Sequence, residues 1–290
     1  MVSSIHTDSA LYAQIYLEGK LEKMFGDSAF TRFLTQTLAL PTRYKQSLDR
    51  KQVDYWNFCD HVWYSQPREK EALAKENPGV SISRLRRGLN LEMFSPEAAN
   101  RVDLCQRYSI PEEAFLLLFV GRLDACKNVM TYAQTVKMMV ERGIPVHGVA
   151  AGHGSQAEAI QSELGEHVSL LGNQPQEHLA LVYASCDAFV FPSETETVGN
   201  VVLEAKASGL VPFVSDQGGV TQLIRNPGED GFIISGQDPK DWANAVQSFL
   251  ELGDRRSEMS HAANRHVREN WPTWDTVFKE DLLPYWQKFE

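Results

Sequence analysis

From Glu113 onward the chain alternates short apolar runs with stretches whose apolar residues recur at helical spacing. Phe115–Val120 is a continuous apolar run that ends in Gly121-Arg122-Leu123 and reads as a buried strand. Over Val129–Arg142 the apolar residues Val129, Ala133, Val136, Met139 and Val140 fall on one helical face, and Gly143 stops the helix. The same alternation predicts strands at Pro145–Ala151, Val168–Leu171, Asp187–Phe191, Val211–Ser215 and Gly231–Ile234. Helices are predicted over Gln156–Leu164, His178–Ala184, Asn200–Ser208, Thr221–Ile224 (short), Pro239–Leu252 and Arg255–Asn270. Strand and helix taking turns in this way specify a doubly wound parallel sheet covered on both faces.

Residues 1–105 carry a thinner pattern. Val2–His6 reads as a strand, Ala10 to about Asp60 as helical stretches, and Val62–Ser65 as a second strand. Ile82–Arg84 then leads into Arg87-Gly88. These are too few strands for an independent doubly wound domain, so the first domain is expected to be incomplete. The expected division is 1–105 for the partial N-terminal domain and 106–272 for the C-terminal domain. An aromatic helix over 273–290 is expected to pack back on the N-terminal part.

Composition narrows the function classes. With 290 residues, 43% hydrophobic and 23% charged, the chain is an ordinary globular one. A net charge of −10 argues against nucleic-acid binding, which rests on neutralising phosphates. Residues 1–105 hold 14 Lys/Arg against 13 Asp/Glu, and the remainder 14 against 25. The basic residues gather at Arg43, Lys45, Arg50 and Lys51 and at Arg84, Arg86 and Arg87, where a solvated face competes with peripheral contact to an anionic membrane. No apolar run is long enough to span a bilayer, and Ser3, Ser4, His6, Thr7 and Asp8 interrupt any secretory h-region. Cys59, Cys105, Cys126 and Cys186 form no C-x-x-C pair, so no metal site is expected and a reducing cytoplasm fits.

The chemistry gathers in the loops that follow the strands, where open α/β sheets bind ligands. In Ser193-Glu194-Thr195-Glu196-Thr197-Val198-Gly199-Asn200-Val201-Val202-Leu203-Glu204 a strand passes through a loop into a helix. The N–H groups of Gly199, Asn200 and Val201 would face a phosphate oxygen there. Glu204, one turn into the helix, would reach ribose hydroxyls, and Glu196 would lie beside a sugar, because a carboxylate accepts directional hydrogen bonds from hydroxyls. Arg122 and Lys127 in the loop after the first strand could grip a diphosphate and stabilise the charge on a departing one. Gly152 and Gly154, flanking His153, suggest a loop that admits the ligand closely, while His153 itself reads as a turn residue.

These motifs resemble the family-4 glycosyltransferases, retaining enzymes of the GT-B architecture with two Rossmann-like domains. The likeness rests on Phe191-Pro192-Ser193, Glu196-Thr197, Gly199 through Ala205 and Ala207-Ser208-Gly209, which match the family's E-x7-E signature. Gly121-Arg122-Leu123 with Lys127-Asn128, and Arg87-Gly88 through Phe94 and Pro96, also match in order and spacing. The sequence is most similar to the branch that glycosylates lipids, including sulfoquinovosyl and other diacylglycerol glycosyltransferases. The resemblance implies transfer of a hexose from a UDP- or GDP-sugar to a lipid or glycan hydroxyl, with no metal or other cofactor. It implies that Arg122 and Lys127 hold the diphosphate, Glu204 the ribose and Glu196 the donor sugar, beside Gly121, Gly152, Gly154, Thr197, Gly199, Asn200 and Val201. His6 matches the family's active-site histidine. Val198 and Lys206 depart from an aromatic and a methionine usual in the signature. The family's first hundred or so residues, with their glycine-rich loop, have no counterpart, so an N-terminally truncated acceptor domain is expected. The alternative reading is a nucleotide-sugar-binding remnant or subunit that does not transfer on its own.

Overall fold

The computed structural model describes residues 2–4, 9–65 and 67–287, and these group into two compact units. Unit 1 comprises residues 1–86, 195–198 and 276–290; unit 2 comprises 87–194 and 199–275.

In unit 1, β1 (Val2–Ser4), β2 (His61–Tyr64) and β3 (Ser81–Arg84) form a parallel sheet in the order β1-β2-β3. Between β1 and β2 run α1 (Ser9–Phe25), α2 (Ala29–Arg32) and α3 (Leu40–Trp56). The expected helical stretch breaks where Gly26 takes a left-handed conformation (φ 64°) and again at Ala39 (φ 49°). α4 (Pro67–Glu76) connects β2 to β3, and Cys59, Val62, Tyr64 and Leu73 form the core beneath them.

Unit 2 opens with α5 (Arg101–Tyr108) and continues through β4 (Phe115–Val120), α6 (Val129–Glu141), β5 (Val146–Ala151), α7 (Ala157–Leu164) and β6 (Val168–Gly172). Then follow α8 (Gln176–Ser185), β7 (Ala188–Phe191), α9 (Asn200–Ala207), β8 (Val211–Ser215), β9 (Phe232–Ile234), α10 (Pro239–Leu250) and α11 (Arg255–Asn270). All six strands are parallel, in the order β6-β5-β4-β7-β8-β9. Every residue of β4, β5, β7 and β8 is buried, as continuous apolar strands covered on both faces must be. The order reverses between β4 and β7, which creates the switch point of a doubly wound sheet.

Residues 87–105, grouped by the sequence pattern with the first domain, belong to unit 2. The reason is a set of bonds to partners distant in the chain. Arg101 donates to Asp187 Oδ2 (2.9 Å), Ser185 O (3.1 Å) and Ala114 O (2.5 Å), fastening α5 beneath β4 and β7. The tail is helical from Trp274 to Trp286, but not regularly so: α12 (Trp274–Val277) and α13 (Leu283–Trp286) are joined by a π-helical segment at Phe278–Leu282. Pro284 sits at the start of α13, where its missing N–H is tolerated. Within unit 1 the tail's Asp281 accepts the Arg86 N–H (2.8 Å) and guanidinium (2.7 Å), and Glu280 lies 2.6 Å from the same guanidinium. No helix among the described residues is long and apolar enough to cross a membrane.

Candidate functional site

The loops after β4, β5 and β7 meet because their strands are neighbours. The Gly121 N–H donates to Ala151 O (2.9 Å), the Leu123 N–H to His153 O (3.1 Å) and the Gln156 N–H to Leu123 O (2.9 Å). Gly152 has φ 133°, and a Cβ there would collide with Gly121 O; one on Gly154 would collide with Leu123 O. Glycine is therefore required at 152 and 154 by the packing of one loop on the other. His153 serves that turn through its carbonyl.

The β4–α6 loop turns through Asp124 and a 3-10 turn at Ala125–Lys127, and Asn128 (φ 50°) starts α6. Asn128 Nδ2 donates to Pro192 O (3.1 Å), linking this loop to the one after β7. Gln237 Nε2 reaches the same carbonyl (3.0 Å) and Glu194 Oε1 (3.0 Å), while its Oε1 accepts from Thr131 Oγ1 (3.0 Å). Arg122 lies 3.4 Å from Asp124 with its side chain half exposed, and Lys127 is buried. Two cations of one loop thus stand beside the switch point.

On the other side of the switch point α9 begins. Gly199 (φ 90°) caps it without a side-chain bond, and a Cβ there would come 2.7 Å from Val220 Cγ1. Among the described residues nothing accepts from the backbone N–H groups of Gly199, Asn200 or Val201. A helix start with free N–H groups carries partial positive charge, which suits an anion. Glu204 lies half-buried in the second turn of α9, where the Tyr183 hydroxyl donates to its Oε2 (3.0 Å). Burial pushes the Glu204 carboxyl above the usual carboxylate range, and the Tyr183 hydrogen bond acts against that rise.

Below the loop, Lys206 is fully buried, and its Nζ donates to Leu223 O (2.6 Å), Asp230 Oδ2 (2.7 Å) and His266 Nδ1 (2.8 Å). This ammonium ties α9 to the 3-10 turn at Gly219–Leu223, whose Val220 packs on Gly199.

The structure thus gathers Gly121, Arg122, Lys127, Gly152, Gly154, Gly199, Asn200, Val201 and Glu204 in unit 2, at the carboxyl ends of β4, β5 and β7. Glu196 and Thr197 fall in the short stretch grouped with unit 1, where the neighbouring Thr195 hydroxyl bonds Tyr12 Oη (3.2 Å). His6 lies outside the described residues. Tyr183, Gln237 and Asp230 were missed by the sequence reading; Asn128 stood inside the Lys127-Asn128 motif but was given no role there.

The family profile described as "Glycosyl transferases group 1" matches residues 102–266, more than half of the chain. The chain belongs to the group 1 glycosyl transferases. Similar curated proteins of this kind are two named D-inositol 3-phosphate glycosyltransferase. That of Corynebacterium urealyticum is 31% identical, over 67% of this chain and 48% of its own length. That of Thermobispora bispora is 33% identical, over 72% of this chain and 49% of its own. The chain spans about half the length of the curated relatives it matches. Among solved structures it resembles a sucrose-phosphate synthase from Thermosynechococcus elongatus, with a TM-score of 0.75 at 21% identity over 99% of this chain and 67% of that one. It also resembles a glycosyltransferase from Rickettsia africae, with a TM-score of 0.70 at 16% identity over 97% of this chain and 82% of that one. The Anabaena protein HepE, solved with UDP and glucose, has a TM-score of 0.72 at 17% identity over 83% of this chain and 67% of its own. Both parallel sheets of the group 1 chain fit the GT-B class of α/β folds.

Proposed function

We propose that this chain binds a UDP- or GDP-sugar in unit 2 and takes part in retaining transfer of the hexose, as a family-4 enzyme. The observation that carries the reading is the α9 start: three backbone N–H groups without an acceptor among the described residues, in the loop after β7, beside the β4 loop that holds Arg122 and Lys127. In this reading the two cations and the N–H groups hold the diphosphate and stabilise the charge that grows on it as the glycosidic bond breaks. Glu204 takes the ribose hydroxyls. Glu196 contacts the sugar, Thr197 and the glycines at 121, 152 and 154 line the donor, and His6 lies by the acceptor. No metal is needed, so EDTA leaves turnover unchanged.

The acceptor is read as a lipid or glycan hydroxyl, in keeping with the lipid-glycosylating branch. A second acceptor, a polyol phosphate, is favoured by the names of the curated relatives. Peripheral membrane contact is supported by exposed Phe25, Phe30, Phe33 and Tyr44, the last beside Arg43 in the sequence, while Lys45 is paired with Asp49. Of the second basic cluster, Arg86 is committed to Asp281 and Glu280.

The test is a variant series assayed for transfer and for donor binding. Glu196→Ala and Arg122→Ala should abolish transfer, and Glu204→Ala should mainly weaken nucleotide binding. Near-wild-type turnover in all three sinks the assignment. Donor binding with neither transfer nor slow donor hydrolysis would establish the other reading, a binding remnant or subunit.

A further inference from the structure

Tyr183 lies on α8, fully buried, with its ring edge-on to Phe94 (5.8 Å between centroids) and tilted against Phe189 (5.8 Å). The ring is therefore fixed by the core and its hydroxyl has one position. A buried hydroxyl needs an acceptor, and the acceptor here is a carboxylate oxygen on another helix, Glu204 Oε2. No other described side chain bonds this carboxylate. Left alone in the second turn of a helix, a glutamate samples several rotamers and a ligand must select one. Held by Tyr183, it is already selected. The carboxylate has about four lone-pair sites and Tyr183 uses one, so enough remain for both hydroxyls of a vicinal diol.

We propose that Tyr183 is a positioning residue for the nucleotide's ribose, holding the Glu204 carboxylate in the one orientation that accepts the ribose diol. The proposal rests on the reading of Glu204 given above and deepens it, because it makes the helix α8 part of the donor site through a residue that never touches the donor.

Calorimetric binding of UDP and GDP, each beside its 2′,3′-dideoxy analogue, separates the possibilities. In the wild type the diol forms should bind more tightly than the dideoxy forms, and Glu204→Gln should erase that preference. Tyr183→Phe, which keeps the ring and its packing, should weaken the diol forms by about fivefold to tenfold and leave the dideoxy forms unchanged. The double variant should bind no more weakly than Glu204→Gln alone. Equal losses for diol and dideoxy ligands, or no loss at all, overturn the role of Tyr183 while Glu204 keeps its effect. A wild type without diol preference overturns the Glu204 reading itself. Glu204→Asp, half-buried on α9 and one methylene further from Tyr183, serves if Tyr183→Phe is poorly folded: it must bind the diol forms as weakly as Glu204→Gln, and near-wild-type affinity refutes the proposal.

Discussion

Replacing Lys206 by methionine keeps the length of the side chain and removes its charge. What it leaves behind is Asp230, only 4% exposed, with two backbone donors, Arg225 N–H (3.2 Å) and Asn226 N–H (2.9 Å). Breaking a buried pair from one side costs about 3–5 kcal/mol, because the remaining charge has no partner. The two backbone donors place the expected cost near the lower end, about 3 kcal/mol, which for a unit of this size is a fall of about 6–12 °C in melting temperature. His266 makes the effect depend on pH. In the wild type, burial holds its pKa below 6.5, with the Lys206 charge acting the same way and Asp230 opposing. Without Lys206 the imidazole faces Asp230 at 3.0 Å with burial still acting on it, so its folded pKa should rise from its wild-type position toward the unfolded value. A depressed imidazole costs stability as pH falls below the unfolded pKa, and that cost is larger in the wild type than in the variant, whose pKa is less depressed. Lys206→Met should therefore lose less at pH 5.5 than at pH 8, and Lys206→Met with Asp230→Asn should recover at least half of the loss. Scanning calorimetry at the two pH values is the assay. A single variant melting within a degree or two of wild type at pH 8 would refute the reasoning.

His147, buried on β5 with Nε2 2.9 Å from Ser169 Oγ, is pushed down from 6.5 to about 4, first by burial and then by the charge of His167. Its folded pKa is depressed, so the unfolded chain takes up the proton first: stability should fall between pH 6.5 and 4, by at most about 1.4 kcal/mol per pH unit, and His147→Gln should flatten the urea midpoint across that range. Gly152→Ala should lower the melting temperature by several degrees and weaken donor binding together, whereas Gly79→Ala, where a Cβ meets nothing within 4 Å, should be silent in both. Arg101→Ala should cost about 1–3 kcal/mol in urea unfolding, since it leaves the half-buried Asp187 with only the Leu116 N–H.

The second sheet was legible because strands buried on both faces must be apolar throughout, and the loops were legible because glycine and charge interrupt those runs at the carboxyl ends. What the pattern could not carry is pairing over distance. Arg101 finds Asp187 86 positions later, and nothing local distinguishes it from a solvated arginine. Lys206 reads as a surface charge on an ordinary helix, yet it is as buried as the leucines around it, because Asp230 and His266 arrive from elsewhere in the chain. Tyr183 sits in an apolar stretch and looks like core, which its ring is; only its hydroxyl belongs to the site. The tail reads as one regular aromatic helix because aromatic spacing says nothing of the π-helical segment that precedes Pro284.

The close stacking of the β4 and β5 loops has a consequence for any attempt to alter the sugar preference proposed above. Where Gly152 lies on Gly121 and Gly154 on Leu123, the two loops meet main chain to main chain, with no room for a side chain at either glycine. At those contacts a substitution meets packed backbone, so they cannot be taught a new preference by side-chain exchange. Selectivity for one hydroxyl pattern over another has to be written on the side chains around them, and a mutant library that randomises positions 152 and 154 should return destabilised chains rather than new specificities.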